Sequence, residues 1–275
     1  MKLGTFYEYL DLAYERKEEK SIPNMLDKYR ELGLSYVDIE LANTDKYGCA
    51  EDFSAMLSKH GFSVGSAYYS IKFGCRSFKE VIAMKDDTRR NIEYAGNAGC
   101  KIFMPVPIVT GNYKNENERI ECRKLISEYV AQASEISKEY GITTVIENFS
   151  DTRCPFAWIE DIQAILDYVK DARYVLDTGN FWFGGDDVLT AAENFAEKTV
   201  HVHLKDISPS ENGFLNICGK SCDSVSIGKG IIPFDDIFNI LKRSNYSGGL
   251  SIEINDMTEL VKKICESAVY VKDRW

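Results

Sequence analysis

The feature that most constrains this chain is an alternation of short apolar runs with amphipathic runs, repeated eight times. Strand-like segments fall at 2–6, 36–41, 63–68, 101–106, 143–148, 173–177, 199–204 and 249–254. Helix-like segments fall between them, at 22–32, 50–60, 86–98, 116–140, 158–169, 187–196 and 234–244, and a last one runs from 256 to about 271. The first of these shows Ile22, Met25, Leu26, Tyr29 and Leu32 on one stripe. Gly33, Gly61, Gly99 and Gly141 stand where helices should stop. Strands joined by helical crossovers run parallel. Eight such units in 275 residues predict a single-domain (β/α)₈ TIM barrel over 1–275. An open doubly wound sheet is the competing arrangement. It is disfavoured because no Gly-x-Gly-x-x-Gly turn follows the first strand. The longest stretch read as irregular is 207–230.

Composition excludes several roles. The net charge is −10, without the clustered Lys and Arg that nucleic acid or an anionic membrane surface requires. No apolar run approaches the roughly 20 residues of a membrane span. The N-terminal run reads as a strand rather than a signal peptide. The eight cysteines are scattered, with Cys218 and Cys222 the one close pair. The expectation is a cytoplasmic protein with reduced thiols, no nucleic-acid or membrane partner, and a homo-oligomer left open.

In a TIM barrel, active-site groups come from the C-terminal ends of the strands. Two of the three histidines lie in Thr-Val-His-Val-His-Leu-Lys-Asp, 199–206. Read as a strand, this turns Val200, Val202 and Leu204 to one face and His201, His203 and Lys205 to the other. The same parity turns Glu147, Asp177 and Glu253 inward on strands five, six and eight. With His203, four strands each offer one ligand-type side chain at one height. Three converging carboxylates repel unless a proton or a cation holds them. A divalent metal resolves this: Mn²⁺ first, then Co²⁺, Mg²⁺ or Zn²⁺, since three carboxylates with one imidazole suit such ions. A single inward carboxylate would more simply be an ion-paired residue.

These residues carry a family resemblance. Val-Ile-Glu-Asn (145–148), Leu-Asp-Thr-Gly-Asn (176–180), His-Val-His-Leu-Lys-Asp (201–206), Gly-Lys-Gly-Ile-Ile-Pro-Phe (228–234) and Leu-Ser-Ile-Glu (250–253) resemble the sugar phosphate isomerase/epimerase group of the xylose isomerase-like TIM barrels. The resemblance implies one divalent metal held by Glu147, Asp177, His203 and Glu253. It also implies Glu147 and Glu253 as catalytic base and acid on opposite faces of one substrate carbon, with an enediolate between. The expected partner is a small carbohydrate, contacted by His201, Lys205, Glu40 and Asn180. The expected activity is isomerase or epimerase. Inosose dehydratases share the His-Leu-Lys-Asp run, which keeps a lyase open, and a non-catalytic sugar-binding or partner subunit is a third reading. Endonuclease IV is similar in fold but needs more histidines, and Asn180 stands where one of them would be. Ketose 3-epimerases have an arginine six residues after the metal histidine, where this chain has Pro209.

Other residues carry less specific readings. Glu40, inward on strand two, can bind a sugar hydroxyl or pair with Lys205 or Lys101. Phe6, Tyr68, Trp158 and Trp182 can wall a sugar ring or belong to the core. Gly228-Lys229-Gly230 can take a phosphate, although a plain tight turn is the simpler reading.

Overall fold

The structure is a computed structural model that describes residues 1–42, 44–111 and 113–275. The first half runs β1 (Lys2–Phe6), α1 (Tyr7–Glu15), α2 (Ile22–Glu31), β2 (Leu34–Glu40), α3 (Ala50–Lys59), β3 (Ser63–Phe73), α4 (Phe78–Ala83), α5 (Lys85–Asn97), β4 (Ile102–Val109) and α6 (Glu116–Glu139). The second half runs β5 (Thr143–Glu147), α7 (Ile159–Tyr168), β6 (Arg173–Asp177), α8 (Phe181–Gly184), α9 (Val188–Phe195), β7 (Thr199–Leu204), β8 (Asp206–Leu215), β9 (Ser221–Val225), α10 (Phe234–Arg243), β10 (Gly249–Ile252) and α11 (Leu260–Arg274). Eight of the strands close into a parallel barrel in the order β1-β10-β7-β6-β5-β4-β3-β2. The outward strand residues and the apolar stripes of the helices form the main core. Val202, Leu204, Tyr174, Leu176, Leu250 and Ile252 are all buried in it. No helix among the described residues is long and apolar enough to cross a membrane.

Inside the barrel a second apolar layer of Met104, Val106, Val145 and Val175 fills the middle. Val200 packs against this inner layer, contrary to its expected outward parity. A register shift between β6 and β7 at Tyr174/Val175 accounts for the change of side. Further round the barrel, the Tyr36 side chain is buried inward and its hydroxyl meets Ser251 Oγ at 3.0 Å. It fits because Gly4 and Gly65 leave it room: a Cβ on either would stand 2.3 Å or 2.2 Å from the Tyr36 ring.

Four expectations need correction. The stretch read as irregular, 207–230, is largely an antiparallel hairpin of β8 and β9. Its polar alternation and a register shift between Pro209 and Phe214 hide it from a periodicity reading. A helix, α1, follows β1 directly, where the sequence pattern assigns no element before residue 22. Its N-cap residue Phe6 makes no side-chain cap, so the usual start signal is missing. The last strand ends at Ile252, so Glu253 lies just beyond it, and the last helix begins at Leu260. Finally, Cys75 and Cys122 are joined by a disulfide, with Cα atoms 5.0 Å apart, so the eight thiols are not all free. The two are 47 residues apart in sequence, and the fold brings the loop after β3 beside α6, where Phe73 also packs on Tyr129.

Candidate metal centre

The strand register levels the groups that matter. Asp177 lies beside His203 on β6 and β7, and His203 beside Ser251 on β10, one residue before Ile252. Glu147 closes β5. Glu147, Asp177, His203 and Glu253 each bring one ligand-type atom to a point where all four lie within 4.8 Å of one another. His201 is two residues deeper on β7, beside Gly249.

Each member is aimed by its neighbours. The Oδ1 of Asp177 accepts the backbone N–H groups of Gly179 and Asn180 at 2.8 and 2.7 Å, a local turn that a short aspartate side chain favours. This leaves Oδ2 facing the centre, buried and without a hydrogen-bond partner, with the Lys205 ammonium at ion-pair distance, 2.8 Å. Asn148 fixes the same turn. Its Oδ1 accepts Tyr174 Oη–H at 2.6 Å and Asp177 N–H at 3.1 Å, and its carbonyl accepts Asn180 Nδ2–H at 2.8 Å. His203 hydrogen-bonds Glu147 through Nδ1, which also lies 3.5 Å from Glu253. Its Nε2 lies 3.8 Å from Asp38. Nδ1 thus faces the centre, while Nε2 is buried without a hydrogen-bond partner and faces the Asp38 carboxylate only at ion-pair range.

The electrostatics follow from crowding. Burial raises the Asp177 carboxyl, Lys205 pulls it down and Glu253 raises it again, leaving it at about 6. Burial pulls the His203 imidazole down, but Glu147, then Glu253 and Asp38, outweigh it and hold it up at about 9. Lys205 is likewise held above the ordinary lysine value, because Asp177, Glu253 and Glu147 more than offset its burial. An ion would displace the His203 proton; three carboxylates and one neutral imidazole, balanced in part by Lys205, would then present two negative charges to a divalent cation. The Oδ2 of Asp177, which faces the centre and is paired only with the Lys205 ammonium, and the mixed oxygen and nitrogen donors fit such an ion.

A cavity of about 340 Å³ opens over the centre, a volume at the small end of ligand sites. Glu147 and Glu253 reach it with side chains 12% and 15% exposed, while Asp177 is fully buried. Phe6, Met104, Val106, Phe149 and Met257 give apolar wall, and Tyr68, Ser70 and Asn255 give polar wall. Glu40 lines it too, and pairs with neither Lys205 nor Lys101.

Of the other residues expected to touch substrate, three turn to internal partners and do not line the cavity. His201 Nε2 hydrogen-bonds Asp38 at 2.9 Å and Ser251 at 3.0 Å, on top of Tyr36. Lys205 holds Asp177, Glu253 (2.6 Å) and Asn180 (2.8 Å) together. Asn180 is spent on Lys205 and Asn148. Phe6 and Tyr68 do line the cavity. Trp158 instead lies under Arg119 and donates Nε1–H to Gly184, and Trp182 packs beside the hairpin.

Gly228–Gly230, where a plain turn is a simpler reading than a phosphate site, is filled from within. Asp206 Oδ2 accepts the N–H groups of Gly228 and Gly230, both at 2.8 Å, and Oδ1 accepts those of Ile207 and Ile232 at 2.9 and 3.2 Å. The amides that would hold a phosphate already hold a carboxylate of the chain.

Two residues escaped the sequence reading. Asp38 shares the inward parity of Glu40, so alternation alone could have found it. Glu8 sits at the start of the unforeseen α1 and lines the cavity. Its Oε1 accepts Tyr68 Oη–H at 2.9 Å and Glu40 N–H at 2.6 Å, while Oε2 is buried without a partner. Burial raises its carboxyl to about 7.

A parallel eight-stranded barrel with carboxylates and a histidine gathered at the C-terminal ends of its strands defines the class: a TIM barrel with a candidate metal-ligand cluster at its mouth. Residues 26–272 match the model of the xylose isomerase-like TIM barrel family, and the chain belongs to that family. Among curated relatives it is 30% identical to an inosose dehydratase of Clostridium perfringens over 161 residues, 54% of this chain and 52% of that protein. It is 25% identical to an inosose isomerase of Halalkalibacterium halodurans over 179 residues, 64% and 60% of the two chains. The matched region thus spans about half the length of these relatives. In fold it is similar to the IOLI protein with a bound zinc atom, at a TM-score of 0.76 and 19% identity over 100% of this chain and 99% of that one. It is also similar to D-psicose 3-epimerase from Clostridium cellulolyticum H10, at 0.75 and 13% over 99% and 97%.

Proposed function

We propose that this protein is a divalent-metal-dependent enzyme that isomerises or epimerises a small polyhydroxy carbonyl compound by proton transfer. The observation that carries the reading is the convergence of Glu147, Asp177, His203 and Glu253 within 4.8 Å beside Lys205, under a small cavity. Those four residues would hold the ion. When bound, a divalent ion polarises a carbonyl and acidifies the neighbouring C–H.

The remaining work falls to the chain. Glu147 and Glu253 come from different sides of the mouth, and both reach the cavity. A carbon held between them meets one carboxylate on each face. One glutamate removes its proton; a proton returned by the other to the opposite face inverts the carbon, whereas a proton returned to the former carbonyl carbon, with loss of the neighbouring hydroxyl proton, moves the carbonyl. Lys205 keeps Asp177 and Glu253 in place and offsets one of their charges. Asp38 puts a negative charge 3.8 Å below the His203 ring, and His201 and Ser251 hold Asp38.

A second reading is favoured by the similarity to inosose dehydratases. In it the same first proton is removed, and a hydroxyl on the next carbon leaves in place of reprotonation. Both readings require exchange of a substrate C–H with solvent. A panel of ketoses, aldoses and inosose incubated in deuterated water with and without Mn²⁺ tests this. Metal-dependent deuterium uptake is expected, and products then separate the readings, because dehydration leaves an absorbing enone or diketone. Absence of exchange across the panel contradicts both and favours a sugar-binding subunit.

A further inference from the structure

On the side of the cavity away from the Asp177 and Lys205 contacts, the wall is built from Glu8, Tyr68 and Glu40. These come from the start of α1, from β3 and from the end of β2. Glu8 spends one carboxyl oxygen on Tyr68 and on the Glu40 amide. Its other oxygen has no partner among the described residues. The Glu40 carboxylate also has no hydrogen-bond or ion-pair partner among them, although it lines the same wall. Two carboxyl groups at one cavity wall with unused oxygens are hydrogen-bonding positions left open, and an open buried position is costly unless something fills it.

The rest of the lining says what can fill it. Glu147 and Glu253 complete four acidic side chains around about 340 Å³, and no Lys or Arg among the described residues lines the space. Lys205, under the floor, is saturated by Asp177, Glu253 and Asn180. The amide nest of the loop after β9, where such barrels can hold a phosphate, is occupied by Asp206.

We propose that Glu8, with Glu40 and Tyr68, is the specificity-determining wall of this site: it binds hydroxyl groups of an uncharged polyol and rejects a substrate carrying a phosphoryl or carboxylate group there. This rests on the functional reading above and adds the class of substrate to it. The chemistry is consistent. A carboxyl titrating near 7 can donate to one hydroxyl oxygen or accept from another at neutral pH. A phosphate dianion placed among the same groups meets like charge in a poorly solvated space.

The test is binding, measured by calorimetry on the metal-loaded protein. The probes are 2-keto-myo-inositol, D-fructose and D-tagatose, with the 1- and 6-phosphates of the two ketoses. At least one uncharged probe is expected to bind, with its phosphate esters weaker by about 100-fold or more, the usual scale for an opposed charge in a closed site. Glu8→Leu should weaken the uncharged probe by about tenfold, as for loss of a buried hydrogen bond to a charged or acidic group. Glu8→Gln, which keeps a donor and an acceptor, should retain most of the binding. Glu40→Gln, a near-isosteric change at a partly exposed wall position, should narrow the discrimination against phosphate about tenfold. Phosphate esters binding as well as the uncharged probes, no uncharged probe binding, or indifference to both Glu8→Leu and Glu40→Gln would each overturn the proposal. Solvent exchange on a phosphorylated ketose would overturn this proposal alone. Glu8-dependent binding without any exchange would overturn the proton-transfer reading alone.

Discussion

The two sides of this barrel mouth use carboxylates in opposite ways. Over β5, β6, β7 and β10, three of them crowd one point, and neighbours satisfy or neutralise them: Lys205, the His203 ring, and the Gly179 and Asn180 amides. Over β1, β2 and β3, Glu8 and Glu40 stand at the wall with oxygens to spare and, among the described residues, no Lys or Arg lining the space. The first arrangement presents ligand atoms to something positive. The second presents hydrogen-bonding atoms to something neutral. Charge alone does not distinguish the two halves, since both are acidic. What differs is how the lone pairs are committed.

The comparison breaks most severely at the two glutamates that belong to both the cluster and the cavity. Glu147→Gln and Glu253→Gln should each lower turnover by at least ~10²-fold, the usual worth of a general base or acid. Asp177 and His203 should still retain some metal, and that retention separates a lost base from a lost ligand. Wild-type turnover in both variants would remove the two-glutamate chemistry and leave the cluster without its proposed purpose.

The opposite wall responds to pH rather than through catalysis. The Glu8 carboxyl is raised by burial from the ordinary glutamate value to about 7. A folded-state value above the unfolded one favours folding most fully below the unfolded value. The advantage is lost as pH rises through the folded value. Between about pH 4.5 and 7, then, wild-type stability should fall by an amount that Glu8→Gln does not share. The variant should gain on the order of 3 kcal/mol on the wild type by pH 8, several degrees in Tm by thermal denaturation. A constant difference between the two proteins across that range would mean that Glu8 is not held neutral by its surroundings.

The two halves were also unequally legible in the sequence. Period-two alternation on the last four barrel strands was enough to bring Glu147, Asp177, His203 and Glu253 to one height, because parity and strand ends are local properties. Glu40 followed from the same rule. Glu8 did not, because it stands on a helix whose start carries no capping side chain. Lys205 and Asn180 read from the sequence as sugar contacts in the neighbourhood of the cluster, which is where the structure has them. Their types suit a sugar, but only the packed structure shows their polar atoms already engaged. His201 was placed one pleat below His203, and the structure adds what occupies that depth: Asp38, Ser251 and the Tyr36 ring, which glycines admit. Gly228–Gly230 has the composition of a phosphate turn. Asp206, 22 residues before Gly228, fills it through a fold of the chain that spacing does not reveal. The Cys75–Cys122 bond is hidden for the same reason.

The central claim is that the crowded half is a one-ion centre built on His203 and not on the deeper His201. Metal content settles this most directly. Protein stripped with chelator, reloaded with Mn²⁺ or Zn²⁺, and analysed for bound metal after gel filtration should carry roughly one ion per chain. His203→Ala, which removes the only nitrogen ligand among the four, should carry almost none. His201→Ala, whose ring touches Asp38 and Ser251 below the centre, should keep its ion while remaining folded by circular dichroism. Equal loss of metal in the two variants, or no bound metal in the wild type, would contradict the account.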